Sequence, residues 1–178
     1  IEAMKQGQLI KMTYQSYWRG ESNTFDVEPY CVKLFKQRWY LVARSPYYNK
    51  VMIYSLDRLL HLEVLANEQF KMPDSFNPTE FFKEYYGVII DSDFDMEKVK
   101  LKVSASQANY LRSLPLHHSQ QEIQTTDEYS IFELRIRPTF DFYQEILHNG
   151  EDMEVLEPLW LRKEIARKIE KMWDKYKS

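Results

Sequence analysis

The 178 residues hold one cysteine, four glycines and seven prolines, and these shortages exclude a good deal. A lone Cys31 has no internal disulfide partner, so the chain is not a disulfide scaffold, and its usage fits a reducing, cytoplasmic compartment. No glycine-rich phosphate loop and no Gly-x-Ser-x-Gly elbow occurs. Scarce Gly and Pro also argue against long disordered linkers. No apolar run approaches the roughly 18 residues that a membrane span needs, and no signal-peptide layout opens the chain, so no membrane partner is expected. A start at Ile rather than Met is what a fragment or processed form would show.

What is present is an ordinary globular composition, 44% hydrophobic and 29% charged, long enough for one ample core or two small ones. Thirteen Tyr and ten Phe make tyrosine-lined surfaces worth seeking. The net charge of −3 is uneven. Residues 1–65 carry nine Lys/Arg against six Asp/Glu, 66–98 three against eight, and 99–178 twelve against thirteen. Any anion-binding surface is therefore local and near the start.

"IEAMKQGQ" reads as a helix tail with Gly7 as its cap. Five short runs rich in β-branched and aromatic residues follow: "LIKMTYQSYW", "FDVEPYCVKLF", "RWYLVARS", "KVMIYSL" and "LLHLEVL". Turn-like pieces such as "RGESN" and "PYYN" separate them, and no long helix intervenes, which predicts a small antiparallel barrel. Pro29 inside the second run predicts an edge or a bulge. Asn77 or Thr79 starts a short helix ending near Gly87, and the acidic "DSDFDMEK" reads as a solvated linker. The chain thus divides into domains 1–90 and 97–178. The second has the order β-α-β-β-α-β-α, with Ser104 capping its first helix, Gly150 past its second and a "DE" hairpin between. That order is ferredoxin-like, a split β-α-β unit, giving an α+β fold class overall. In the last helix Leu161, Ile165, Ile169, Met172 and Trp173 share one side. Its charged side mixes Arg162, Lys163, Arg167, Lys168, Lys171 and Lys175 with Glu164, Glu170 and Asp174, a salt-bridged exposed face.

The third strand, "QRWYLVARS", carries the chemistry. With period two, Trp39, Leu41 and Ala43 share one face, expected to be core. Arg38, Tyr40, Val42 and Arg44 share the other. Arg offers a planar fork of donors for phosphate and a face that stacks on rings, and Tyr offers a flat surface for a base plus a hydroxyl. Such a face can hold an anionic, base-bearing ligand. Tyr54 and Arg58 from the next strand and its exit would complete it, with Tyr14 and Lys33 as weaker neighbours. The structural alternative is a solvated outer face, its guanidinium stems covering a ring. Asp57 either orients Arg58 or caps a turn, or, with equal weight, takes a ligand role.

Other constellations fail. "DSDFD" opens like a calcium loop but has Met96 at the sixth position and Lys102 at the twelfth. His117 and His118, adjacent on a strand, would face opposite ways. Glu145 and His148 lack the second pair that a di-iron site needs. Cys31 has no activating partner, so an inert thiol is expected. No catalytic group, cofactor or metal site is expected, and the chain reads as a non-enzymatic module.

"RWYLVAR" (38–44) followed by "YSLDRL" (54–59) resembles the signature of the WYL domain family, named for the triplet here formed by Trp39, Tyr40 and Leu41. "IKMTYQS" and "VEPYCVKLFKQRWYL" fit the same pattern. "LPLHHSQ" (114–120), "GEDMEVLEPLWLR" (150–162) and the terminal helix look like the C-terminal extension found behind such domains. The resemblance implies an Sm-like, SH3-type barrel that senses an effector in a bacterial transcriptional regulator. It implies promoter DNA read by a helix-turn-helix lying upstream of Ile1, nucleic acid or a nucleotide-like anion as effector, and homodimerisation through the extension. Where many members carry Arg before the fourth-strand aromatic, Met52 stands here, leaving Arg38, Arg44 and Arg58 as the main candidates. Arg162, within "LEPLWLR", is singled out as a ligand or partner contact. The rival expectation is a ligand-free dimerisation scaffold.

Overall fold

Each apolar-rich run of the first 70 residues becomes a strand in the computed structural model, which describes residues 1–17 and 20–177. Trp18, expected to end the first strand, and Arg19, expected to open the next turn, lie outside the described residues. Helix α1 (Glu2–Gln6) leads into β1 (Gln8–Gln15), β2 (Ser22–Phe35), β3 (Arg38–Ser45), β4 (Lys50–Ser55) and β5 (Leu59–Gln69). Gly7 closes α1 with φ 62°. A Cβ there would lie 2.8 Å from the Phe70 carbonyl, so the position requires glycine twice over.

The strands form one antiparallel sheet in the order β4-β3-β2-β1-β5. Strand β2 is long because it serves two neighbours: residues 22–27 pair with β1, and residues 28–35 with β3. The register breaks between Pro29 and Cys31, where a residue without an N–H is tolerated as a bulge. The β2–β3 turn places Lys36 and Gln37 at φ 45° and 64°, a two-residue hairpin geometry built without glycine. Ile10, Met12, Val27, Leu41, Ala43 and Tyr54 form the core of this unit.

Contacts divide the chain into two units, Ile1–Phe81 and Phe82–Ser178. Helix α2 (Pro78–Phe82) is capped by Asn77, whose Oδ1 accepts the N–H groups of Thr79 at 2.8 Å and Glu80 at 3.2 Å. It stops at Phe82 rather than near Gly87, because the following backbone is claimed elsewhere. Tyr85 bridges to Arg137, and Asp141 Oδ2 accepts the N–H groups of Val88 at 2.8 Å and Ile89 at 3.0 Å.

The second unit runs β6 (Glu97–Ser104), α3 (Ala105–Ser113), β7 (Gln121–Thr125), β8 (Tyr129–Ile136), α4 (Phe140–His148), β9 (Met153–Glu157) and α5 (Leu159–Tyr176). This is the element order expected from sequence. Its sheet, in the order β7-β8-β6-β9, is antiparallel throughout. Ser104 caps α3 through the Gln107 N–H. Alternation along β6 and β8 buries Val99, Leu101 and Val103 with Phe132, Leu134 and Ile136. The helices add Leu111, Phe142, Ile146, Leu161 and Ile165 to the same core. The chain is thus an α+β protein with two antiparallel sheets and, among the described residues, five α-helices.

Two local expectations change. His117 and His118 lie in a loop rather than a strand, so their rings are neighbours with centroids 4.1 Å apart. Both Nε2 atoms lie 2.8 Å from the Lys83 carbonyl. Gln120 binds Leu111 O and Leu116 N, and Ser119 binds the Arg135 backbone, so the "LHHSQ" motif pins this connection in place. In α5 only Leu161 and Ile165 are buried, and the apolar side continues outward beyond them.

Candidate ligand-binding face

Strand β3 presents Arg38, Tyr40 and Arg44 on one side as its alternation dictates, but they do not form one pocket. Six residues at about 3.3 Å each separate Arg38 from Arg44 by roughly 20 Å, too far for one phosphate. Val42, between Tyr40 and Arg44, is fully buried and interrupts the polar face. Across the strands, Lys33 and Ser55 stand beside Tyr40, and Glu28 stands beside Arg44.

The Arg38 end gathers several groups around the 3-10 turn Leu56–Arg58. Arg38 Nη1 donates to Asp57 Oδ2 at 2.9 Å. Asp57 also accepts the Ser55 hydroxyl, and that bond first, then the nearby Arg38 and Arg58 charges, hold its carboxyl below the usual range. The Ser55 N–H donates to the Tyr14 hydroxyl at 3.1 Å. Burial pushes the Tyr14 phenol up, while the adjacent Arg58 charge opposes the rise. Arg58 itself lies over the Tyr17 ring, 4.7 Å from its centroid. Its Nε is buried and has no acceptor among the described residues.

The Arg44 end is occupied. Arg44 donates to Glu28 Oε1 at 2.7 Å and to Asn49 Oδ1 at 2.6 Å, and the Tyr30 hydroxyl shares Glu28 at 3.4 Å. Tyr54 is registered with Leu41, so it faces the core and not Tyr40. It packs edge-on against Tyr14 at 5.3 Å, and burial pushes its phenol up to about 12. Burial raises the Cys31 thiol as well, against the opposing Lys33 charge, so the thiol is poorly ionised. Arg162 belongs to the other unit, where it binds the Val155 carbonyl at 2.6 Å and Glu154 at 2.6 Å. The fold therefore brings Arg38, Tyr40, Arg58 and Tyr14 together, with Lys33 beside them. Arg44 and Arg162 stand apart, and Tyr54 meets the group only through Tyr14, from the core side.

Trp39 departs from the core position expected of it: its side of β3 continues past the end of the core, leaving it 51% exposed. With Leu41, Leu56, Leu62, Val64 and α1 residues it lines an apolar groove of about 340 Å³. Sequence reasoning missed this groove, although Leu60, Leu62 and Val64 alternate along β5. It also missed Tyr17, which no spacing rule connects to Arg58. Two guanidinium groups beside tyrosine faces can bind and orient a phosphate-bearing molecule.

A WYL domain model matches residues 1–64 and a WCX domain model matches residues 95–173. A search of curated proteins returned no match. Among solved structures, proteasome accessory factor B/C (PafBC) of Arthrobacter aurescens matches at 20% identity and TM-score 0.44, over 95% of this chain and 25% of that one. A CRISPR Cas-related protein matches at 14% identity and TM-score 0.54, over 98% of this chain and 49% of that one. The chain spans about a quarter and about half of the lengths of these two. With the name-giving triplet on β3, residues 1–64 belong to the WYL domain family, and residues 95–173 behind them to the WCX domain family.

Proposed function

We propose that the chain is the effector-sensing and oligomerising part of a transcriptional regulator, binding an anionic ligand at the Leu56–Arg58 corner. The first unit acts as an Sm-like barrel and the second as a ferredoxin-like extension. Arg58 carries the reading: a guanidinium held against the Tyr17 ring, with its Nε lacking an acceptor among the described residues, is a cation suited to an incoming oxyanion. Arg38, Tyr40, Tyr14 and Lys33 complete the corner. The ligand class that suits it is single-stranded DNA or a nucleotide, with phosphate on Arg58 and Arg38 and a base on a tyrosine face. Arg44 joins only for a ligand extended over the length of β3. Binding would bias an upstream domain that reads promoter DNA, through different affinities for its two states.

The ion pairs of Arg38 and Arg44 favour a second reading, a scaffold that takes no ligand. Titration with a fluorescent single-stranded oligonucleotide separates the two. Arg58→Ala is expected to weaken binding by about 10- to 100-fold, and to lower the slope of log K against log salt by about 0.7. Equal affinity in wild type and variant removes the sensing role.

A further inference from the structure

The Leu56–Arg58 corner is not purely cationic. Asp57 stands among its guanidinium and tyrosine groups, and of the residues gathered there it alone is an acid. Its Oδ2 accepts from Arg38 Nη1 at 2.9 Å, and its Oδ1 accepts the Ser55 hydroxyl. Ser55 is registered with Tyr40, so these two bonds hold the carboxylate on the side of the sheet that Arg38 and Tyr40 share. The Ser55 bond foremost, then the Arg38 and Arg58 charges, keep the group ionised. It is therefore an acceptor with no proton to give, and with its side chain 41% exposed a ligand can reach it.

A carboxylate in this place cuts two ways. A phosphate bound to the outer nitrogens of Arg38 meets a like charge on the order of 5 Å away, which weakens its binding by about three- to tenfold at a wet surface. The same carboxylate has lone pairs beyond those that Arg38 and Ser55 use, so a donor held beside the phosphate is drawn to it. A bare anion suffers only the first effect. A phosphate with a hydroxyl on the neighbouring carbon gains from the second. Ribose supplies that pairing, its 2′-hydroxyl adjoining the carbon that bears the 3′-phosphate, and deoxyribose has only hydrogen there.

We infer that Asp57 is a specificity-determining residue, which accepts the 2′-hydroxyl of a ribose whose 3′-phosphate rests on Arg38, so that the corner prefers ribonucleotides to deoxyribonucleotides. This rests on the ligand reading above and narrows it. Arg58, its Nε lacking an acceptor among the described residues, then takes an adjacent phosphate or a second oxygen of the same one. A purely positioning role for Asp57 predicts a different outcome. Loss of the carboxylate would then slacken Arg38 and weaken every phosphate ligand alike, whereas loss of a repelling acceptor helps the deoxy ligand.

Anisotropy titrations of the 178-residue chain with fluorescein-labelled oligouridylate and oligodeoxyuridylate, each about eight nucleotides long, test this. Base, length and charge are then the same, and only the 2′ position differs. Wild type is expected to bind the RNA strand about 5- to 20-fold more tightly, and a 2′-O-methyl strand no better than DNA. In Asp57→Asn the DNA strand should bind about three- to tenfold tighter while the RNA strand changes little, so the preference shrinks. Asp57→Ala should abolish the preference, with circular dichroism confirming that both variants are folded. Competition by uridine 3′-monophosphate and its 2′-deoxy analogue names the source: the same ratio there means that a free nucleotide suffices, and a ratio confined to the strands means RNA. Equal wild-type affinities for the two strands, or an Asp57→Asn variant that weakens both alike, overturns the role of Asp57. The ligand reading survives that result if Arg58→Ala still weakens both strands, and falls with it if wild type binds neither.

Discussion

Replacing Glu28 by Gln asks whether Arg44 belongs to the ligand face at all. In the folded chain Arg44 donates to Glu28 at 2.7 Å and to Asn49 at 2.6 Å, with the Arg side chain 32% exposed and the Glu side chain 14%. A half-buried pair of this kind contributes about 1 kcal/mol, and a chain of this size should lose about 2–4 °C in Tm when it is broken. Gln keeps the shape and a carbonyl acceptor but removes the negative charge. Arg44 then becomes available to phosphate, still some 20 Å from Arg38 along the strand. An oligonucleotide long enough to reach both ends should bind up to about tenfold tighter, with the salt slope steeper by about 0.7 for the additional phosphate. A mononucleotide, unable to span the strand, should bind unchanged. Fluorescence anisotropy at several salt concentrations measures the affinities and the slope, and a thermal melt measures the Tm. Lower Tm with no gain in oligonucleotide affinity would refute the idea that β3 tracks an extended ligand, and Arg44 would be a structural residue only.

Trp39→Ala should cost about 1–2 kcal/mol in urea unfolding rather than the 3–5 typical of a buried tryptophan, since half its surface already meets water; a larger loss would mean that the groove closes in solution. Glu122 tests pH dependence. Hydrogen bonds from Arg112 foremost, with Thr125 and Ser130, hold its carboxyl down at about 2, against 4.5 for a free side chain. A depressed carboxyl stabilises the folded state above the unfolded value and loses that effect as pH falls toward the folded one. The Tm gap between wild type and Glu122→Gln should therefore stay constant above about pH 5 and shrink between about 4.5 and 2. A gap unchanged at pH 2 would contradict this.

Elements were legible where one physical pattern dominated. Alternation exposed β6 and β8 because one face is buried and the other wet, and Ser104 announced α3 because a hydroxyl before a helical run has one obvious use. The β2–β3 turn was legible only as a gap between strands, since Lys36-Gln37 carries none of the Gly or Asn that such φ values favour. At the corner, sequence supplied Arg38, Tyr40, Arg58 and Tyr14, because strand period and order place them near one another. It failed for Tyr54, whose partner Leu41 fixes it on the opposite face, a fact of register that no single strand contains. Trp39 was misjudged for a related reason: alternation gives the side of a sheet but not where the core ends along the strand. The lengths of Arg-to-carboxylate contacts lie in tertiary structure, so the occupation of Arg38 and Arg44 could not be anticipated.

The irregularity at Pro29 acts as a firewall in strand pairing. In an uninterrupted ribbon, a slip of one residue turns every side chain inside out along its whole length. Here the β1-facing half of β2 and the β3-facing half keep separate alignments. Insertions or substitutions around the Trp-Tyr-Leu hairpin can therefore be absorbed without dislodging Ile10 from Val27. A lineage could re-tailor the sensing corner while inheriting the opposite half of the sheet intact.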